Sequence, residues 1–488
     1  PAVSGPLRPE PVLLALEEMP GATLVQRVER TVIRAILEGR LRPGAALPGS
    51  RALAEMLGVN RHTVIPALEE LVDQGWLMTE PSRGTFVAPE LPSQARPEPM
   101  AQETGVGFDL PSFLLPASLP EPSVLSLADG TPDPRLAPVQ ELSRAYQRAL
   151  RHHAPALLQG QDPLGNPILR EAVAAWVGER HGLALAPDRV LITRGTRAAL
   201  AMLVATLFRK QGLAAVESPG NRAAWELLQA SGNLSLRPLP VDGEGLCADA
   251  LEALLAEEAV RLLYLTPRRQ FPTGASLSRP RAEAILRLAA AHRVAIVEDD
   301  YDGEFWYEEP RPESLLSRDR TGQVIHLGSL SRLLSPGLRL GYLIVPDALS
   351  PLLARIKRAQ DLGDVTTERA VADLIRDGEL SAHLRRARRI YEGRRDLLCA
   401  GLGAALGGEL EIRPPSGGLA LWLKARPGLD AAAWVRRARD RGLRLHPPDH
   451  FHLGPGEPAF RMGFSQASEE ELEAAVARLK AALSTAAR

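Results

Sequence analysis

Apolar residues between Thr23 and Leu37 recur at Val25, Val28, Val32 and Ile36, the spacing of one face of a helix. The same spacing returns in "RALAEMLG", where Leu53 and Leu57 lie four apart. Ser50 stands where an N-cap is expected and Gly58 where the helix should stop. A third pattern, "RHTVIPALEELVDQG", starts after a capping Asn60 and turns Val64, Leu68 and Leu71 inward. Pro66 falls inside it, removes the bond to the His62 carbonyl and predicts a bend. "GWLMTEPSRGTFVAP" then changes to a hairpin pattern with Ser82, Arg83 and Gly84 at its tip. The tight "GVN" turn between the second and third patterns has helix-turn-helix spacing.

Periodicity fails after residue 90, where a proline-rich stretch of 36 residues runs from Ala88 to Ser123. Such composition suits a semi-extended linker. Beyond it, helical stretches alternate with the β-rich runs "VLIT", "AAVES", "LLYLTP", "VAIVED" and "VIHLG". That alternation predicts an α/β domain with a mainly parallel sheet. The expected organisation is a loose tail at 1–21, a helix-turn-helix module at 22–90, a linker at 91–124 and a large α/β domain at 125–488.

The 488 residues are 45% apolar and 24% charged, ordinary for a globular chain, with no apolar run of membrane-spanning length. Neither a membrane span nor a secretory signal is expected. Two cysteines give no disulfide framework, and a cytoplasmic location is expected. Net charge is -1, so bulk charge does not argue for nucleic acid. Residues 22–90 themselves carry eight arginines and eight acidic residues, so any DNA affinity must come from placement.

The module at 22–90 resembles the GntR-type winged helix-turn-helix, through "LPGSRALAEMLGVNRHTV" and "SRGTFV". The resemblance implies double-stranded promoter DNA as partner. Arg51 of the second helix would contact phosphate, with Ser50 beside it at a groove-facing position. Arg61, His62 and Thr63 would open the recognition helix at the major groove, and Arg83 and Gly84 would bring the wing to the backbone. The plainer alternative is a winged helix that binds protein.

The large domain resembles the fold-type-I aminotransferases, in order through "LQGQDPLGNPILREAVAAWV", "ITRGTRAALAML", "LTPRRQFPTG", "IVEDDYDGEF", "GSLSRLLSPGLRLGYL" and "FRMGFS". A winged helix joined by a long linker to such a domain is the architecture of the MocR/GabR regulators. The fold implied is α/β: a winged helix-turn-helix, a large three-layer α/β/α aminotransferase-like domain and a small C-terminal α+β subdomain. The cofactor of that family is pyridoxal phosphate. The resemblance gives Asp299 the ring nitrogen, Tyr301 the phenolic oxygen, and Thr196, Ser329 and Arg339 the phosphate. Arg461 would grip a ligand carboxylate. The competing reading makes Asp299, Asp300, Arg339 and Arg461 members of structural ion pairs.

The family's loop reads Ser-x-x-Lys, and its lysine bonds covalently to the cofactor. Here Ser329-Leu330-Ser331 is followed by Arg332. Guanidinium, with a pKa of roughly 13, offers no free amine. The chain's four lysines are Lys210, Lys357, Lys424 and Lys480, and none stands at that loop. Asn221 replaces an expected stacking aromatic, and Arg268 and Arg269 replace a common Ser-His. The resemblance implies a homodimeric transcription regulator, and the missing amine predicts that it lacks transaminase activity. Its ligand would be pyridoxal phosphate held non-covalently or another small anionic metabolite, gripped by Arg269, Arg332, Arg339 and Arg461. The alternative is an active aminotransferase with an accessory DNA-binding domain.

Overall fold

The computed structural model describes residues 14–16, 21–81, 83–92, 124–159, 162–208, 210–230, 232–360 and 363–483. The chain divides into two compact units, residues 1–118 and 119–488. Ser82, most of the expected tail and most of the expected linker lie outside the described residues.

In the first unit, helix α1 (Leu24–Leu37) opens on a capping box. The Thr23 side chain accepts from the Gln26 N–H while Gln26 answers on the Thr23 N–H. Its buried face holds Val28, Val32 and Ile36, as the spacing predicts. Helix α2 (Ser50–Leu57) starts one residue earlier than expected, with Gly49 as its cap. Ser50 therefore makes no capping bond; its Oγ lies in the first turn and accepts from Arg61 Nε at 3.1 Å. Gly58 closes α2 in the left-handed conformation, φ 64°, as the sequence predicts. Helix α3 (Arg61–Asp73) is capped by the Asn60 side chain, which accepts from the His62 N–H at 2.9 Å. Strands β1 (Leu77–Glu80) and β2 (Gly84–Val87) pair antiparallel, Leu77 opposite Val87. Leu53, Val64, Leu71 and Trp76 form the core, and Leu14, inside the stretch expected to be a loose tail, is buried with them.

The bend expected at Pro66 does not end α3, which continues to Asp73. Pro66 and His62 are both exposed, so water can reach the carbonyl that proline leaves unbonded. The remaining penalty is the ring's clash and the lost bond, partly offset by a stiffer unfolded chain. Pro66→Ala should therefore stabilise the winged-helix unit by roughly 1–2 kcal/mol, raising its melting temperature by about 5–10 °C. A thermal melt that leaves the midpoint unchanged would show that the helix absorbs the proline at no cost.

The second unit is built on an eight-stranded sheet. Its order is Val190–Thr193, Gly341–Ile344, Val324–Ser329, Ala295–Asp300, Val260–Leu265, Gly212–Ser218, Leu234–Asp242 and Gly245–Leu246. The five strands from Val324–Ser329 to Leu234–Asp242 run parallel; Gly341–Ile344 runs against both of its neighbours. Alternate residues face two separate cores. Ile296, Tyr342 and Ile344 enter one, and Val297, Leu327 and Leu343 enter the other. Helices on both faces complete the three layers expected.

A smaller antiparallel sheet follows, Leu410–Glu411, Ala420–Ala425 and Ala459–Gly463, packed with helices that include Glu379–Leu406 and Glu469–Leu483. The segment at the start of the large domain joins this region: Leu125–Ser126 pairs parallel with Leu443–Arg444. The subdomain is thus not purely C-terminal. Among the described residues, no helix is long and apolar enough to cross a membrane.

Candidate functional site

Parallel strands aim their C-terminal ends at one edge of the sheet, where loops and helix starts supply polar groups. Ala295–Asp300 and Val324–Ser329 pair with Asp299 opposite Leu327 and Asp300 opposite Gly328. Because side chains alternate, neighbouring Asp299 and Asp300 leave the strand on opposite faces.

Asp300 meets Arg268, with Nη1 to Oδ2 at 2.6 Å and both side chains nearly buried. Next along, Arg269 bonds Asp302 at 3.0 Å and lies over Trp306, 4.3 Å from its ring centre. Gly417 leaves the space that Arg269 occupies: a Cβ there would fall 2.2 Å from the Arg269 guanidinium. The ion-pair reading therefore holds for Asp300, and Arg269 cannot serve as an anion grip, because its charge is already matched in the interior.

Asp299 behaves differently. It is 7% exposed and accepts one hydrogen bond, from the Tyr264 hydroxyl at 2.6 Å. Its Oδ1 has no hydrogen-bond partner among the described residues. Burial pushes its pKa up to about 6, against the opposing pull of the Tyr264 bond. Asn221 donates to the same tyrosine oxygen at 3.2 Å, so Asn221, Tyr264 and Asp299 form one chain.

These groups line a cavity of about 340 Å³ that also takes in Thr196, Tyr301, Leu327, Arg332, His446 and His450. The His446 and His450 rings stack at 3.8 Å on its wall. Tyr301 meets Phe271 edge-on at 5.8 Å, and the Arg332 guanidinium lies 5.7 Å from the Tyr301 ring centre. Arg332 also donates to the Gly130 carbonyl at 2.8 Å.

A second space of about 230 Å³ is lined by Thr131, Arg194, Gly195, Thr196, Ser329, Arg332 and Arg339 among others. It shares Thr196 and Arg332 with the first. Gly195 caps the helix Thr196–Leu207 with φ 83° and no side-chain bond, so the first N–H groups of that helix are open to an anion. Gly341 allows the close approach of its strand to this turn: a Cβ there would fall 3.1 Å from Gly195. Ser329 Oγ accepts from the Arg332 N–H at 3.2 Å. Arg339, exposed, holds φ 51°, a backbone conformation uncommon for arginine.

The expected set thus divides. Thr196, Ser329, Arg332 and Arg339 meet at the smaller space, and Asp299, Tyr301, Thr196 and Arg332 at the larger. Arg461 lines neither; 2% exposed, it donates to the Asp129 carbonyl at 2.5 Å and lies 4.5 Å from the Phe271 ring centre. Sequence reading missed Tyr264, His446 and His450. Tyr264 sits in a run that reads as core strand, and the histidines reach the wall from a loop with no chemical motif.

Among the described residues no lysine lines either space. Lys210 is exposed, Lys424 pairs with Glu457 at 2.7 Å, Lys357 is buried on the helix Ser350–Gln360, and Lys480 is on Glu469–Leu483.

In the winged-helix unit, Arg51, Arg61 and His62 are exposed and Thr63 is half-buried. The Ser50 contact holds the Arg61 side chain between α2 and α3. Arg83 pairs with Glu80 and lies 5.6 Å from the Phe86 ring centre, on the exposed hairpin that Gly84 enters with φ 117°.

The "Aminotransferase class I and II" family matches residues 122–479, and "Bacterial regulatory proteins, gntR family" matches residues 24–87. The chain is 30% identical to an uncharacterized HTH-type transcriptional regulator of Bacillus subtilis, YisV, over 95% of this chain and 96% of that protein. It is 28% identical to MocR, a probable rhizopine catabolism regulatory protein of Rhizobium meliloti, over 92% and 91% of the two chains. Among solved structures it resembles LysN, the α-aminoadipate aminotransferase of Thermus thermophilus complexed with N-(5'-phosphopyridoxyl)-L-leucine. That match has a TM-score of 0.69 and 31% identity, covering 75% of this chain and 93% of LysN.

The raised Asp299 pKa gives a signed prediction. The folded chain holds this proton more tightly than the unfolded chain, so stability falls as pH rises from about 4 to about 6 and then levels. Asp299→Asn removes that slope and should stabilise the ligand-free protein above pH 6, by an amount on the order of 2 kcal/mol. Denaturant titrations at acid and neutral pH check it; parallel pH profiles for the two proteins would contradict the assignment.

Proposed function

The chain belongs to the class I and II aminotransferase family and carries a gntR-family helix-turn-helix ahead of that domain; on this premise we propose that it is a DNA-binding transcription regulator whose large domain senses a small anion without transaminating it. Full-length similarity to HTH-type regulators supports the first half. The second half rests on Arg332, at the position where the family's loop carries its covalent lysine, and on the absence of lysine from both spaces among the described residues.

The residues present fit pyridoxal phosphate held without a covalent bond. Asp299 Oδ1, buried and unpartnered, would take the ring N–H. The Thr196 helix start, Ser329 and Arg339 would hold the phosphate, and Tyr301 would face the phenolic oxygen. When bound, that group supplies an electron sink. Arg332 would add a fixed positive charge and cannot act as an acid–base shuttle at neutral pH. Arg461, tucked behind Phe271, contributes field to the cavity and would need to shift to grip a carboxylate. A different small phosphate or carboxylate would use the same cationic cleft, Arg332 and Arg339, and leave Asp299 idle. As in the aminotransferase family, the protein would act as a homodimer, pairing two winged helices on double-stranded promoter DNA.

An active aminotransferase with an accessory DNA-binding domain is the rival, and one assay separates the two. The purified protein should convert no amino donor to a keto acid and carry no borohydride-reducible cofactor adduct. Turnover, or an adduct on Lys357, would overturn the proposal. Conversely, Arg332→Lys should gain a cofactor absorption band that borohydride bleaches, since Asp299 and Tyr301 are already in place.

On the DNA side, Arg61 is the exposed first residue of α3, held by Ser50. Arg61→Ala should weaken specific operator binding by about 1–3 kcal/mol if the guanidinium reads a base. Unchanged affinity in a mobility-shift titration would move the reading residue elsewhere on α3.

A further inference from the structure

The face of the central sheet turned away from the Asp299 cavity carries a second set of polar groups. Glu298, Asp300 and His326 share that face, since Glu298 pairs with His326 across two neighbouring strands and Asp300 follows two residues on. His181, the last residue of the helix Pro167–His181, reaches the same point, its ring 5.7 Å from that of His326. One donor atom each from His181, Asp300 and His326 lies within 4.8 Å of the other two.

Three observations single this cluster out from an ordinary buried ion pair. His326 is 0% exposed, and Glu298 takes its Nδ1 at 3.1 Å, yet its Nε2 has no hydrogen-bond partner among the described residues. A buried imidazole with one nitrogen oriented by a carboxylate and the other left open is the arrangement that metal-binding histidines show. Glu298 is itself fixed, accepting the Leu315 and Leu316 N–H groups at 2.8 and 3.1 Å. Second, the His181 ring meets the His326 ring nearly edge-on, with 68° between their planes. Third, Arg268 holds only Oδ2 of Asp300. Beside Oδ1 stands Gly303, where a Cβ would come within 2.0 Å.

We propose that His181, Asp300 and His326 form a binding site for one divalent transition-metal ion of the zinc class, with Glu298 as the positioning residue behind His326. Two imidazoles and a carboxylate suit zinc or cobalt, whose bonds to such ligands are about 2.0–2.2 Å, so the three side chains close inward on binding. A water or other small ligand completes the shell. The ion would clamp Ala295–Asp300 to Val324–Ser329, the two strands that deliver Asp299 and Ser329 on the other side.

The test uses the full chain, stripped with a chelator and titrated with Co²⁺, then with Zn²⁺ in competition. A saturating visible d–d band at one Co²⁺ per chain, displaced by Zn²⁺, is expected. His181→Gln, at a partly exposed helix end that should tolerate the change, should weaken Co²⁺ binding by at least about tenfold and lose the band, and Glu298→Gln should weaken it by about 10–100-fold. Failure of the wild-type chain to give the band overturns the site, and so does a band that survives His181→Gln unchanged. Should Glu298→Gln not fold, the His181 variant alone decides. Neither result depends on the ligand cavity or on DNA binding.

Discussion

Asp299 keeps one carboxylate oxygen bonded to Tyr264, and the other meets no hydrogen-bond partner among the described residues, in a position 7% exposed. An unsatisfied buried acceptor costs on the order of 1–3 kcal/mol, so it persists only where the surroundings impose it. They do so through the strand. Asp299 and Asp300 are neighbours, and the pleat sends them to opposite faces of the sheet, so Arg268 can neutralise Asp300 without reaching Asp299. The strand's parallel neighbours fix the register, and Tyr264, from the adjacent strand, fixes the carboxylate's orientation. The rest of the cavity is arranged around an acid that the fold holds ready and does not itself use.

The arginines are partitioned along the same lines. In an arginine-rich chain, sequence position alone does not separate those that brace the interior from those that open onto a cavity. Burial and partners do. Arg268 and Arg269 are locked to Asp300 and Asp302, with Gly303 and Gly417 leaving them room. Arg332 and Arg339 are at the surface of the spaces beside Ser329, where their guanidinium groups meet backbone, an aromatic face or solvent in place of a carboxylate. Removing a buried partner such as Asp302 would strand a charge; removing Arg339 would not.

Much of this was legible in the chain. Strong local rules gave the winged helix: a three-and-four periodicity, Asn60 as cap, left-handed Gly58 as stop. Strand alternation with helices gave the layered domain, and the Ser329 loop and the Asp299 strand end gave the main lining. What could not be read depends on contacts distant in sequence. Gly49 in place of Ser50 as the α2 cap frees the serine hydroxyl for Arg61, eleven residues on. Tyr264 reads as an apolar strand residue until Asp299 is placed 2.6 Å from it. Leu14 has no pattern around it, yet is buried in the winged-helix core. The Asp300–Arg268 and Arg269–Asp302 pairs join positions more than thirty residues apart, and only the fold says which acid each arginine takes.

On the proposed reading, the arginine at position 332 bears on how the large domain would report a concentration. A ligand bonded covalently leaves only as fast as that bond can be exchanged, which suits a resident cofactor. A ligand held by hydrogen bonds and charges leaves at a rate set by those contacts alone, so its occupancy tracks the free concentration. Bound at a hundred times its dissociation constant, such a ligand stabilises the competent state by about 2.7 kcal/mol; near that constant the gain is a few tenths. That range matches the coupling energies through which effectors move two-state equilibria, roughly 1–3 kcal/mol. The shift also requires that the two states differ in affinity for the ligand. Ser329, Arg332 and Arg339 sit on one loop between two strands of the sheet, so a small displacement of that loop changes several contacts to an anion at once. On the proposed reading, a charge in place of a covalent anchor would trade residence for responsiveness, and would leave the anion grip, not a reacting amine, as the part of the site on which regulation depends.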